Sequence, residues 1–217
     1  MALNGLKYID NQKYNNMLIM KNEVVLDIIL CLISGYNKLK VKGCKKDIGG
    51  LRYLLGQSIR QYDIPKKNYH ISEGAKKRWE ELSSDPIEKY WYRKKVECNK
   101  LQFPKLYKVF RGSESEGKEI EIKPGGSFIF RDMFHEEHII PVALILNKMI
   151  NETNSMDRTA IQNLLENMHM CIILKEEDRD INHYLGRTAR RTLDFASNVK
   201  NIYDKRGIRL LPYAQFP

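Results

Sequence analysis

Pro141 fixes the point at which an apolar, aromatic run must stop pairing, and the chemically telling residues lie just before it, in His135-Glu136-Glu137-His138-Ile139-Ile140-Pro141. Proline lacks the N–H a strand ladder needs, so pairing ends there. The residues Ser127-Phe128-Ile129-Phe130 read as a short strand leading into this segment. Successive strand side chains face opposite ways, so the turn after Phe130 decides where Glu137 and His138 point. A carboxylate suits a hard divalent cation, and a neutral imidazole takes a proton from water near neutral pH. The pair is chemically suited to hydrolysis.

A zinc-peptidase motif needs two histidines four apart on one helical face, with a glutamate between them. His135 and His138 are three apart. Pro141 also follows too soon for a long helix through the site. Beyond it, Val142 to Ile150 has helical spacing, and a second helix through Ala160, Ile161, Leu164 and Leu165 is one that Ser155 can cap. Met168 to Leu174 is apolar enough for a buried strand. Lys175-Glu176-Glu177-Asp178-Arg179-Asp180-Ile181 then opens a helix whose acidic first turn suits the helix dipole. The expected order is strand, helical excursion, strand, helix.

With Glu137-His138-Ile139-Ile140-Pro141 and the block Asn167 to Asp178, the chain resembles the HNH, or ββα-metal, nuclease family over about Ser127 to Tyr184. The resemblance implies Glu137 as metal ligand, His138 as the base that activates water, and Asn167 as the residue that holds the histidine ring. Where the family commonly has a histidine or asparagine in the first turn of the helix, this chain offers Glu177 and Asp178, with Asn182 one turn further. The implied cofactor is Mg2+, for which Mn2+ can substitute. A divalent cation would stabilise charge on the phosphate and on the leaving 3′ oxygen, giving 5′-phosphate and 3′-hydroxyl ends. Cys31, Cys44, Cys98 and Cys171 are scattered singly, so no structural zinc is expected.

The chain of 217 residues carries a formal net charge of +10, which draws a polyanion through phosphate contacts and counterion release. Its cations cluster. Lys38, Lys40, Lys42, Lys45 and Lys46 form one group; Lys89, Arg93, Lys94, Lys95 and Lys100 interleave with Tyr90, Trp91 and Tyr92; Arg187, Arg190, Arg191 and later cations form a third. Each alone is a solvated face, whereas together they suit a DNA-contacting surface, with Arg179 near the site as a further phosphate contact. His169, between Met168 and Met170, reads first as a packed or edge histidine, and His70 and His183 show no partner in sequence.

The expected fold is α+β and mainly helical, with residues 1–120 as a mostly helical, basic DNA-recognition region and 121–217 as a ββα-metal core with a C-terminal helix. Asn22 is placed to cap a helix from Glu23 to Ile33 that Gly35 closes; Ser72 caps one through Trp79 and Leu82; Ser84-Asp85-Pro86 starts another carrying Trp91. Arg111 to Glu119 reads as a charged loop, and Arg187 to Lys205 as a helix that Gly207 stops, either packing on the core or forming a dimer seam. No stretch approaches the ~20 apolar residues a membrane helix needs. The start lacks a secretory pattern, and isolated cysteines suit a reducing interior, which predicts a cytoplasmic protein. The expected function is a site-specific double-strand DNA endonuclease resembling stand-alone restriction enzymes, possible as a homodimer because one metal site cuts one strand. A nonspecific nuclease or toxin and an inactive DNA-binding regulator are the alternatives.

Overall fold

The structure, a computed structural model, describes residues 11–84, 87, 101–111, 118–127, 129–152, 157–189 and 200–212. In chain order the elements are α1 (Asn11–Lys42), α2 (Lys45–Gln61), β1 (Tyr69–Ser72), α3 (Glu73–Leu82), β2 (Tyr107–Arg111), β3 (Lys118–Ile122), a single helical turn α4 (Phe130–Met133), β4 (Phe134–His138), α5 (Val142–Asn151), α6 (Arg158–Glu166), β5 (Met170–Leu174), α7 (Lys175–Ala189), α8 (Lys200–Lys205) and β6 (Leu210–Pro212). The fold is α+β. Among the described residues no helix is long and apolar enough to cross a membrane.

Two compact units divide the chain, one of residues 1–64 with 145–167, the other of 65–144 with 168–217. This differs from the sequence-based boundary at residue 120. The excursion between β4 and β5 supplies α6, whose Arg158 pairs with Glu23 and Asp27 of α1, so contact rather than chain order draws the division. In this first unit α1 runs unbroken through Gly35, which was expected to close it. Gly35 lies beside the Leu51 side chain of α2, where an added Cβ would make an ordinary contact at 3.4 Å, and the roughly 1 kcal/mol a single helical glycine costs does not end a helix of this length. The turn falls instead at Gly43, whose φ of 71° is the left-handed conformation glycine adopts readily. Asn22 does not cap a helix either: its amide bonds both ways with the backbone of Asp63.

The second unit is built on a four-stranded sheet of order β4-β5-β1-β6 beside a separate β2–β3 hairpin. β5 lies antiparallel to β4 and parallel to β1, and β6 is antiparallel to β1. The described residues up to 120 are mostly helical, as expected, with β1, a run of only four residues, Tyr69-His70-Ile71-Ser72, and the β2–β3 hairpin as the exceptions. Side-chain alternation gives the sheet two faces. Phe134, Ile172, Leu174 and Ile71 pack against Trp79 of α3 and Phe130 on one side; Cys171 and Ile173 pack against Ile181, Ile202, Tyr203 and Ile208 on the other. The strand expected at Ser127–Phe130 is displaced: Phe130 begins α4, and the strand runs Phe134–His138. The tilted ring contacts of Phe130 and Phe134 with each other and with Trp79 favour that short turn.

Asp157, not Ser155, caps α6; Ser155 lies outside the described residues, as do Pro86 and Trp91. The charged stretch after β2 is flanked by paired strands, with Arg111 opposite Lys118, and residues 112–117 lie outside the described set. Of the helix expected over Arg187 to Lys205, α7 accounts for the start and α8 for the end.

Ser72 behaves as expected, accepting a hydrogen bond from the Ala75 N–H at the start of α3 at 2.9 Å. Its hydroxyl also donates to Glu177 of α7 at 2.6 Å, so one buried oxygen ties two helix starts together. Replacing Ser72 by alanine is expected to lower the unfolding free energy by about 1–3 kcal/mol, through a lost cap and an unsatisfied partner. Urea denaturation of the two proteins at matched pH measures it; a loss within error of zero would show that the junction is not structural.

Candidate functional site

His135 and Glu137 are two apart on β4, so the pleat puts both on one face of the sheet, opposite Ile173 and Cys171 respectively. β5 passes directly into α7 at Lys175, and the first turn of that helix brings Asp178 to the same place. One ligand atom from each of His135, Glu137 and Asp178 lies within 4.8 Å of the others, and all three side chains are half-buried. Among the described residues this is the group that could hold a metal ion.

Three successive carboxylates open α7, and helical geometry rotates each by about 100° from the one before, so they cannot share one site. Glu176 points outward, with Arg78 at 3.6 Å. Glu177, expected as a ligand, stands outside the group. Its carboxylate accepts from Ser72 and, at 2.8 Å, from the N–H of Leu174, the residue directly before the helix. That is the back-reaching bond of a capping glutamate. Burial pushes the Glu177 carboxyl above its ordinary pKa, and the two hydrogen bonds pull it part of the way back. Asp178 alone of the three reaches the cluster. Asn182, one turn on, donates to Asp178 at 3.1 Å and so supports a ligand candidate.

His138 is the last residue of β4, paired with Met170, and alternation sets it on the face opposite Glu137. Asn167 belongs to the first unit and closes α6, its amide donating to the Asn163 carbonyl at 2.7 Å. Lys45 and Lys46 are exposed at the start of α2. Arg179 lines a cleft of about 130 Å³ at the start of α7 with Arg78, Lys108 and Lys175, where Glu119 and Glu176 balance much of the positive charge. Arg187 lies on the backbone of α7, while Arg93, Lys94, Lys95, Arg190 and Arg191 fall outside the described residues.

Sequence reasoning missed two residues. His135 was weighed only against the zinc-peptidase spacing, although its i, i+2 relation to Glu137 was visible once the strand was placed correctly. Tyr203, whose hydroxyl donates to Glu137 Oε1, arrives from α8 and left no local signal. His70 also has a partner that sequence could not supply: its Nε2 lies 2.9 Å from Nδ1 of His169 because β1 runs parallel to β5.

One imidazole nitrogen beside two carboxylates is a donor set for a divalent cation, and the nitrogen fits Mn2+ or Zn2+ more closely than the all-oxygen preference of Mg2+. No family model, curated protein or solved structure matches the chain. The geometry separates two adjacent carboxylates that sequence treated alike. Asp178→Asn is expected to weaken Mn2+ binding by at least about tenfold, while Glu177→Gln leaves it within about twofold, consistent with the cost of disturbing a metal's own ligands. Titration followed by the electron paramagnetic resonance of free Mn2+ distinguishes them, and the reverse ranking would reassign the site.

Proposed function

We propose that this chain is a divalent-metal-dependent endonuclease of the ββα-metal kind that hydrolyses phosphodiester bonds of double-stranded DNA at defined sites. The observation that carries the reading is the antiparallel pairing of β4 with β5, which runs straight into α7, around His135, Glu137 and Asp178. His135, Glu137 and Asp178 hold the cation, two carboxylates offsetting its charge. Bound there, a divalent cation supplies electrostatic stabilisation to a phosphodiester as charge builds on it. The HNH resemblance implies His138 as the base that takes a proton from the attacking water, but its side chain leaves β4 on the face opposite Glu137, so that role is the part of the reading that mutation must decide. The net charge of +10 supports a polyanionic substrate, with Lys45, Lys46 and Arg179 among its phosphate contacts. Cutting both strands calls for two copies of the site or two visits.

The test is incubation of the purified chain with long, sequenced, unmethylated DNA in Mg2+, in Mn2+ and in chelator. Discrete fragments are expected with either metal and none with chelator, with Mn2+ at least as effective as Mg2+. His138→Ala is expected to leave Mn2+ affinity unchanged; a fall in rate of about 100-fold or more, the range a general base contributes, would assign it the base role, and an unchanged rate would remove that role from this histidine. Glu137→Gln is expected to lose both. A metal-dependent smear would replace site specificity with nonspecific cleavage, and intact DNA under every condition would overturn the nuclease reading in favour of a binding protein.

A further inference from the structure

Glu137 offers two carboxylate oxygens, and Oε1 accepts the hydroxyl of Tyr203. That phenol is 1 % exposed in a chain region where its ring packs with Cys171, Ile173, Ile181, Ile202 and Ile208. Its oxygen also lies 3.6 Å from Sγ of Cys171, the residue opposite Glu137 on β5. The thiol and the carboxylate therefore fix the hydroxyl's position from two strands at once.

The helix carrying Tyr203 is short, yet its end is closely specified. Gly207, at φ 68°, follows it, the Ile208 N–H donates to the Tyr203 carbonyl at 2.8 Å, and the Gly207 N–H donates to the Asp204 carbonyl at 2.9 Å. These two bonds form a Schellman ending, and the apolar contact that accompanies such an ending is between Ile208 and Tyr203 themselves. Arg206 then makes two bonds to Asp180 of α7, one of them at 2.8 Å, and its guanidinium lies 5.1 Å from the centre of the Tyr184 ring. Asp180 is two residues beyond Asp178. The same clamp thus joins the helix that bears Asp178 to the helix whose tyrosine grips Glu137.

We infer that Tyr203 is a positioning residue for the cation site: by donating to Oε1 of Glu137 it fixes the rotation of the carboxylate that lies beside His135 and Asp178. Without the hydroxyl the carboxylate can rotate about its last torsion, and the order imposed on the ligand before the ion arrives is lost. This rests on the proposal that His135, Glu137 and Asp178 hold a cation.

Tyr203→Phe keeps the ring in the apolar cluster and removes only the hydroxyl. Titration of the purified full-length protein with Mn2+, read by electron paramagnetic resonance, is expected to show binding weakened by about 10- to 100-fold, the range for outer-sphere partners of metal ligands. Ile202→Val, which loosens the same helix without touching the hydroxyl, is expected to lower the melting temperature and leave Mn2+ affinity as in the wild type. Equal affinities in wild type and Tyr203→Phe, or an equal loss in Ile202→Val, would overturn the positioning role while the cation site stands. A wild-type chain that binds no Mn2+ would overturn the cation site and this inference with it. The wild type also supplies a check that needs no variant to fold. With tyrosines labelled with carbon-13 at Cζ, stoichiometric Zn2+ is expected to shift the Tyr203 resonance, and a resonance that does not move would overturn the inference.

Discussion

His135 stands opposite Ile173 and Glu137 opposite Cys171, and this antiparallel register settles which side of the sheet receives the polar pair. A slip of one residue would turn both to the face filled by Trp79, Phe130 and Phe134, and would bring Glu136 and His138 to the helix side instead. Slippage is opposed by burial. Phe134 and Ile172 are almost fully enclosed on one face, Cys171 and Ile173 on the other, so no shift keeps both sets of apolar side chains out of water. Each fully buried side chain of that size is worth about 1.5–3 kcal/mol, far more than the half-buried histidine and glutamate gain from their position.

The start of α7 depends on that register in turn. Leu174 ends the paired strand and its N–H is held by Glu177, whose other partner is the hydroxyl that caps α3. Gly74 is needed beside this junction: a Cβ there would come within 2.6 Å of Glu177 Oε1 and 3.3 Å of Leu174. With Glu177 fixed, the 100° rotation per helical residue leaves Asp178 turned toward β4. One carboxylate is spent on structure so that its neighbour can be presented to a ligand.

Much of this was legible. The helices after Pro141, the buried strand ending at Leu174, the acidic helix start and the cap at Ser72 all follow from patterns within about ten residues, where burial and capping act locally. Glu137, Glu177 and Asp178 came into view as ligands through the HNH resemblance, and the structure brings the first and last of them together with His135. The errors arose where the surroundings outweighed local preference. Gly35 looked like a stop but sits inside a long helix that its small cost does not end, and Ser127 to Phe130 looked like a strand although the aromatic cluster around Trp79 takes Phe130 into a helical turn. Glu177 and Asp178 seemed equivalent because composition cannot say which of two adjacent side chains turns to a strand 40 residues earlier.

The sequence by itself determined the kinds of element, their order around the site and the chemistry available there, because periodicity, caps and residue type are properties of short segments. Only the tertiary structure decided the partnerships: Tyr203 with Glu137, His70 with His169, and His135 with both carboxylates. The first two pairs are separated by 66 and 99 residues: His70 meets His169 because β1 and β5 share a register, and Tyr203 meets Glu137 because the helix that carries it packs on the face of Cys171 and Ile173. Register is fixed by which apolar residues can be buried together on two faces at once, and no local segment carries that information.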